Sequence, residues 1–147
     1  MSSDDASRAG QEEDPVEDGR ISGLVVARGA ATGLIIAMPA AFVNGLLADQ
    51  TPKPKGAIAF TFMLVIVGFF VAGWLAGREA HTARAKHGAL AALVAFLPVE
   101  LVSVLGRLDR GTPVSVGQII IVGLLAACAG TVGAQLAARR PPKRGPA

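Results

Sequence analysis

The sequence predicts an all-α fold, a four-transmembrane-helix bundle, and three observations predict it. Four long stretches, Gly29 to Ala48, Gly56 to Gly77, Gly88 to Gly106 and Gly111 to Ala138, carry no charge apart from Glu100. Each is long enough to cross a bilayer, which takes roughly 20 mostly apolar residues. Composition agrees, because 52% hydrophobic residues and a mean hydropathy of +0.51 are too apolar for a soluble domain of 147 residues. The third observation is an absence of amphipathicity: none of the stretches has the charged face a soluble bundle helix needs.

Taken in order, the chain reads as a tail, a membrane domain and a second tail. Residues 1–20 hold seven acidic residues against Arg8 and Arg20, with no apolar period, the composition of a disordered acidic tail. This terminus lacks the basic start and short apolar run of a secretory signal, so the first span should be retained. The membrane domain covers residues 21–138, with helices at about 28–48, 57–78, 87–106 and 115–138. Residues 139–147, RRPPKRGPA, are basic and Pro-rich. Arg139, Arg140, Lys143 and Arg144 suit anionic lipid headgroups, at roughly 1 kcal/mol each.

Small residues explain how such helices would hold together. Lipid supplies no hydrophobic force between helices, so their backbones associate by close van der Waals packing. Gly29 and Gly33 in the first helix, Gly73 and Gly77 in the second, and Ala126, Gly130 and Ala134 in the fourth form small-xxx-small ridges. They are expected to close the four helices on one another; a homodimer or larger-complex face is the alternative. Pro39 and Pro98 each remove a helical hydrogen bond and are expected to kink the first and third helices. Cys128 is alone in the fourth helix, where a small core residue is its ordinary role.

Orientation follows from Lys and Arg. Four crossings put both termini and the Arg78–Lys86 loop on one side, with ten basic residues against four on the other, Lys53, Lys55, Arg107 and Arg110. The positive-inside rule then places both termini in the cytoplasm of a multi-pass cell-membrane protein. Arg28 is expected at the cytoplasmic interface, with Ile21 to Ala27 on the headgroups or extending the helix inward.

The two halves also resemble each other. Aligning Arg28 with His87 pairs RGAATGLIIAMP with HGALAALVAFLP, matching Gly29 with Gly88 and Pro39 with Pro98. Later, VIVGFF at Val65 to Phe70 resembles IIVGLL at Ile120 to Leu125. Two readings stand: chance similarity between Ala-rich and Gly-rich spans, or tandem duplication of one helical hairpin. Duplication implies parallel repeats about an axis along the membrane normal.

Glu100 is the one charge inside a span. It lies about six residues before Gly106, roughly 9 Å below the outer end of its helix at 1.5 Å per residue. Depth places Asn44 and Gln118 in the same outer layer, with Ser103 one turn from Glu100. Asn44, Glu100, Ser103 and Gln118 are therefore candidates for one intramembrane polar cluster. Three roles fit it: a hydrogen-bonded clamp, a binding or proton-coupling site, or an acid reaching up to Arg107 and Arg110.

Little in the sequence suggests catalysis, a cofactor or a metal. His81 and His87 are six apart, a spacing that does not share a helical face, and no Cys or carboxylate set surrounds them. No phosphate-binding loop or nucleophile elbow is present, and the basic residues are too few to suggest nucleic acid.

In GWLAGREAHTARAKHGAL, Gly73 to Leu90, the chain resembles the YrzE-like small bacterial membrane proteins, a four-helix family without an established function. The resemblance rests on Gly73, Gly77 and Arg78 closing one helix and His87, Gly88 and Ala89 opening the next. It implies four spans and no particular chemistry. Small multidrug-resistance exporters look similar in size and helix number, but that family places its essential Glu in the first helix, which here has no acidic residue. The expectation is a structural or accessory subunit of a bacterial inner-membrane complex. The alternative is a small dimeric transporter or channel with Glu100 as coupling acid.

Overall fold

A computed structural model describes residues 21–139, and among them the chain forms four α-helices and no strand. These are α1 (Gly23–Ala48), α2 (Lys55–Glu79), α3 (Arg84–Asp109) and α4 (Val116–Ala138). The acidic and basic tails read from the sequence, residues 1–20 and nearly all of 139–147, lie outside the described residues. The helices contain 26, 25, 26 and 23 residues. At about 1.5 Å per residue they are roughly 35–39 Å long, enough to clear a hydrocarbon core of about 30 Å. All four qualify as spans by length and composition, and the protein is a multi-pass membrane protein built as a four-helix bundle.

Side-chain size is distributed the opposite way from a soluble bundle. Most buried hydrophobic residues are alanines, and the largest fully buried side chain is Phe69. Leu24, Ile35, Phe42, Phe60, Met63, Leu97, Leu101, Ile121 and Leu124 all point outward. A surface this apolar would aggregate in water, whereas lipid accepts it at no cost. The one aromatic pair in the middle, Phe69 with Phe96, meets edge to face at 6.2 Å.

The end carrying the N-terminus of α1, the α2–α3 loop and the C-terminus of α4 is here called the base; the end with the other two loops is the crown. Glycine packs the base. A Cβ on Gly29 would lie 2.6 Å from the Ala72 carbonyl oxygen, and one on Gly33 would lie 2.5 Å from that of Gly68, so α1 rides directly on the α2 backbone. Gly73 and Gly77 do the same toward α4, against Gly130 and Ala134. Gly130 also meets Gly88 and Ala92 of α3. Every glycine singled out in the sequence, Gly29, Gly33, Gly73, Gly77 and Gly130, thus sits at a contact within this chain.

The helices touch in the pairs α1–α2, α3–α4, α1–α3, α2–α4 and α2–α3, while α1 and α4 do not meet. The two hairpins lie side by side, and α2–α3 is the short diagonal. A two-fold axis exchanging the hairpins would require an α1–α4 contact to match α2–α3, so the axis expected from tandem duplication is not kept. One equivalence survives. Gly68 packs on Ala37 in the first hairpin and Gly123 on Phe96 in the second, and the alignment equates both partners.

Helix ends depart from the sequence reading at the base. α1 starts at Gly23, five residues before Arg28, so of the two expectations for the segment ahead of Arg28 the inward extension of the helix is the one found, with a cap that no local pattern announces. The backbone N–H of Ser22 donates to His87 Nε2 at 2.9 Å, and Ser22 carbonyl accepts from Val26 at 3.2 Å. His87 is only 3% exposed, and its Nδ1 lies 3.2 Å from the Ala83 carbonyl oxygen. With Nε2 accepting, the ring proton belongs on Nδ1, donating to Ala83. Ala83 holds a left-handed backbone, φ 48°, which aims that carbonyl at the ring and lets α3 begin at Arg84.

Arg28 is therefore inside a helix rather than at its threshold. It is exposed, 4.0 Å from Glu79 at the end of α2, so Arg28 and His87 are not equivalent in role. Cys128 is exposed on the outer face of α4 rather than in the core, because the inward positions of that stretch are taken by Ala126 and Gly130. Pro39 and Pro98 sit inside unbroken helices, leaving the carbonyls four residues back, at Ile35 and Val94, without their helical donors.

Two outcomes test this packing. Gly73→Ala should destabilise the bundle by about 1–3 kcal/mol through overpacking on α4, while Gly45→Ala, which has nothing within 4 Å of its new methyl, should be neutral or gain up to about 1 kcal/mol; unfolding in detergent monitored by circular dichroism separates them. His87→Phe should cost about 1–3 kcal/mol by stranding the Ser22 N–H and should speed amide exchange at Ser22 and the first turn of α1 while leaving the crown protected.

Candidate functional site

Apart from His87 at the base, the polar side chains that face into the bundle gather at the crown, beyond the glycine seams. A cavity of about 90 Å³ there draws walls from all four helices: Asn44 from α1, Phe62 and Val65 from α2, Glu100, Ser103 and Arg107 from α3, and Gln118 and Val122 from α4. The four residues that depth estimates placed in one layer, Asn44, Glu100, Ser103 and Gln118, all line this one cavity.

They do not bond to one another. Asn44 donates from Nδ2 to the Ile58 carbonyl oxygen and to Thr61 Oγ1, both at 2.7 Å, clamping α1 to α2. Thr61, 7% exposed, passes its own proton to Ala57 or Ile58 carbonyl oxygen at 3.0 and 3.1 Å. Because Ile58 carbonyl only accepts, the amide orientation of Asn44 is fixed and its Oδ1 is left to the cavity. Ser103 donates back along its own helix to Val99 carbonyl at 3.0 Å, which leaves its lone pairs free to accept. Gln118 is exposed at the cavity mouth and accepts from Arg107 Nη1 at 3.0 Å, joining α4 to α3.

Glu100 is half-buried, and none of the described residues donates to it or pairs with it. Arg107 lines the same cavity two turns along α3 without coming within ion-pair distance of it. Arg110 is engaged elsewhere, 3.2 Å from Asp49 at the C-terminal end of α1. The acid therefore does not reach up to the crown arginines, and the mutual hydrogen-bonded clamp does not form; the clamp that does form is Asn44 with Thr61. Thr61 escaped the sequence reading because a threonine in an apolar span commonly bonds its own helix, and only the partner's position distinguishes it.

Chemically the cavity offers acceptors, namely the Glu100 carboxylate, Asn44 Oδ1 and Ser103 Oγ, with a guanidinium at its mouth. It contains no histidine or cysteine, and among the described residues no group of three or more metal-ligating side chains exists anywhere. At the base, His81 is exposed and His87 is committed to capping α1.

Residues 22–137 match the protein family described as Protein of unknown function (DUF3792). No curated protein and no solved structure matches the chain.

If the Asn44–Thr61 contact holds the crown of the first hairpin, Asn44→Ala and Thr61→Ala should be non-additive. A double-mutant cycle on thermal unfolding in detergent should return a coupling of about 0.5–2 kcal/mol, and additive effects would mean the two side chains act separately.

Proposed function

The chain belongs to the DUF3792 family of proteins of unknown function, and we propose that it acts as a structural or accessory subunit of a membrane complex, seated in a bacterial inner membrane with the base toward the cytoplasm. The observation that supports this most directly is the sealed base. There Gly73, Gly130 and Gly88 bring the backbones of α2, α4 and α3 into contact, which closes the base between those three helices. Orientation draws support from the excess of Lys and Arg assigned to the base side. The outward face is large, apolar and uncharged along most of its length, which suits packing against other spans as well as lipid. Nothing in the polar cavity resembles a nucleophile with its base, so a non-enzymatic role is the reading adopted.

A second reading keeps Glu100 as the coupling acid of a small dimeric transporter. Its support is the position of an unpaired carboxylate in a cavity walled by all four helices. The two readings part on what Glu100→Gln does. As a coupling acid, its loss abolishes proton-coupled uptake in reconstituted vesicles at normal membrane abundance; in a structural role, abundance or stability changes and no transport is lost.

For the accessory role, photocrosslinkers at the outward positions Ile121 and Leu124 should give a discrete heterologous adduct in native membranes. Adducts formed only between copies of this chain would count against that role.

A further inference from the structure

The polar cavity at the crown is the inner part of a larger cleft. A second cavity, of about 220 Å³, shares Ala41, Asn44, Ser103 and Arg107 with it and opens between α1 and α3. The outer cleft is walled by Phe42, Leu46 and Val102, whose side chains are 61%, 54% and 38% exposed. An apolar groove thus leads from the lipid-facing surface past a guanidinium to a half-buried acid. We propose that this cleft binds the headgroup of a zwitterionic aminophospholipid, with its primary ammonium against Glu100 and its phosphate against Arg107.

Charge complementarity selects the occupant. Arg110 is neutralised by Asp49 at 3.2 Å, but Arg107 is held only by the neutral Gln118, and Glu100 by nothing among the described residues. Two opposite charges therefore line one cavity without cancelling each other, and the carboxylate within the span is costly to leave alone. A ligand carrying both signs a few bonds apart satisfies both. A primary ammonium brings three N–H donors, which match the Glu100 carboxylate, Asn44 Oδ1 and Ser103 Oγ. Phe62 adds an aromatic wall to the same space, and aromatic faces attract cations. A trimethylammonium has no N–H to donate to these acceptors. An anionic glycerol headgroup would serve Arg107 and leave Glu100 unmatched. The groove walls Phe42, Leu46 and Val102 then receive the upper acyl chain.

The test uses the full chain, purified and delipidated in detergent, with native mass spectrometry after adding phosphatidylethanolamine, phosphatidylcholine or phosphatidylglycerol of identical acyl chains. Wild-type protein should retain phosphatidylethanolamine about tenfold better than either of the others, the effect of one charge-assisted contact. Glu100→Gln should erase the preference for phosphatidylethanolamine over phosphatidylglycerol. Arg107→Gln should weaken both lipids alike. Val102→Trp, which fills the groove and leaves both charges in place, should lower retention of all three, whereas Val132→Trp on the outer face of α4 should leave it unchanged. Equal retention of the ethanolamine and choline lipids by wild type, or an undiminished preference in Glu100→Gln, would overturn the assignment. If Glu100→Gln does not fold, by circular dichroism and monodispersity, Val102→Trp decides: continued selective retention of phosphatidylethanolamine overturns the site and its loss supports it.

Discussion

The bundle hangs on the contact of Gly130 with two helices at once. On one side its backbone lies against Gly73 of α2, and on the other it lies against Gly88 and Ala92 of α3. No residue with a side chain fits between three backbones at that spacing, so the identity of each glycine is dictated by its neighbours rather than by its own helix. In water such a seam would be a poor core, because glycine contributes almost no apolar area to bury. In lipid, area burial between helices is worth little, and close approach of backbones contributes the dispersion and polar contact that large side chains would prevent. Gly130 holds α2 and α3 against α4 together, and those two helices meet across the diagonal while α1 and α4 do not.

Closing the base so tightly determines the crown. Helices that cross at a small-residue seam diverge away from it, and the space opened has to be filled. Here it is filled incompletely, by Phe69 and Phe96 at mid-depth and above them by Asn44, Thr61, Glu100, Ser103 and Arg107 around an open cleft. The Asn44 clamp limits the divergence of α1 from α2, and the Arg107–Gln118 bond limits that of α3 from α4. Between the two hairpins the bond at the crown is the Arg110–Asp49 ion pair at 3.2 Å, at the edge of the outer cleft that opens between α1 and α3.

What the sequence made legible follows the range over which each signal acts. Four spans are visible because twenty apolar residues in a row have one meaning, and the glycine ridges are visible because small residues at intervals of four share a face. The common layer of Asn44, Glu100, Ser103 and Gln118 could be read from depth alone, since rise per residue is fixed. Which atoms bond within that layer could not, because it depends on helix rotation: Asn44 turned to Thr61, and Ser103 to its own backbone. The sequence left the start of α1 open between two readings, and the cap that accompanies the longer helix was hidden for the same reason. A helix N-terminus normally announces itself with a cap in its own sequence, whereas Ser22 makes no side-chain cap and its N–H is taken by His87, sixty-five residues away.

That borrowed cap also bears on how alike the two halves are. Duplication would place Arg28 and His87 at matching thresholds, yet one is exposed beside Glu79 and the other is among the most buried polar residues described. The difference follows from the side-by-side arrangement. α3 lies between α1 and α4 and touches α2, so its first turn is covered and can reach the start of α1; α1 is at the edge and its first turns face outward. An imidazole suits the covered site, because it can accept from Ser22 and donate to Ala83 while neutral, and a guanidinium, which only donates, suits the exposed one. The positions that the alignment pairs differ in chemistry at Arg28 and His87 in the base and at Ala41 and Glu100 in the crown. Gly68 and Gly123 keep the same residue, although Gly68 lies against the α1 backbone and Gly123 against the Phe96 ring.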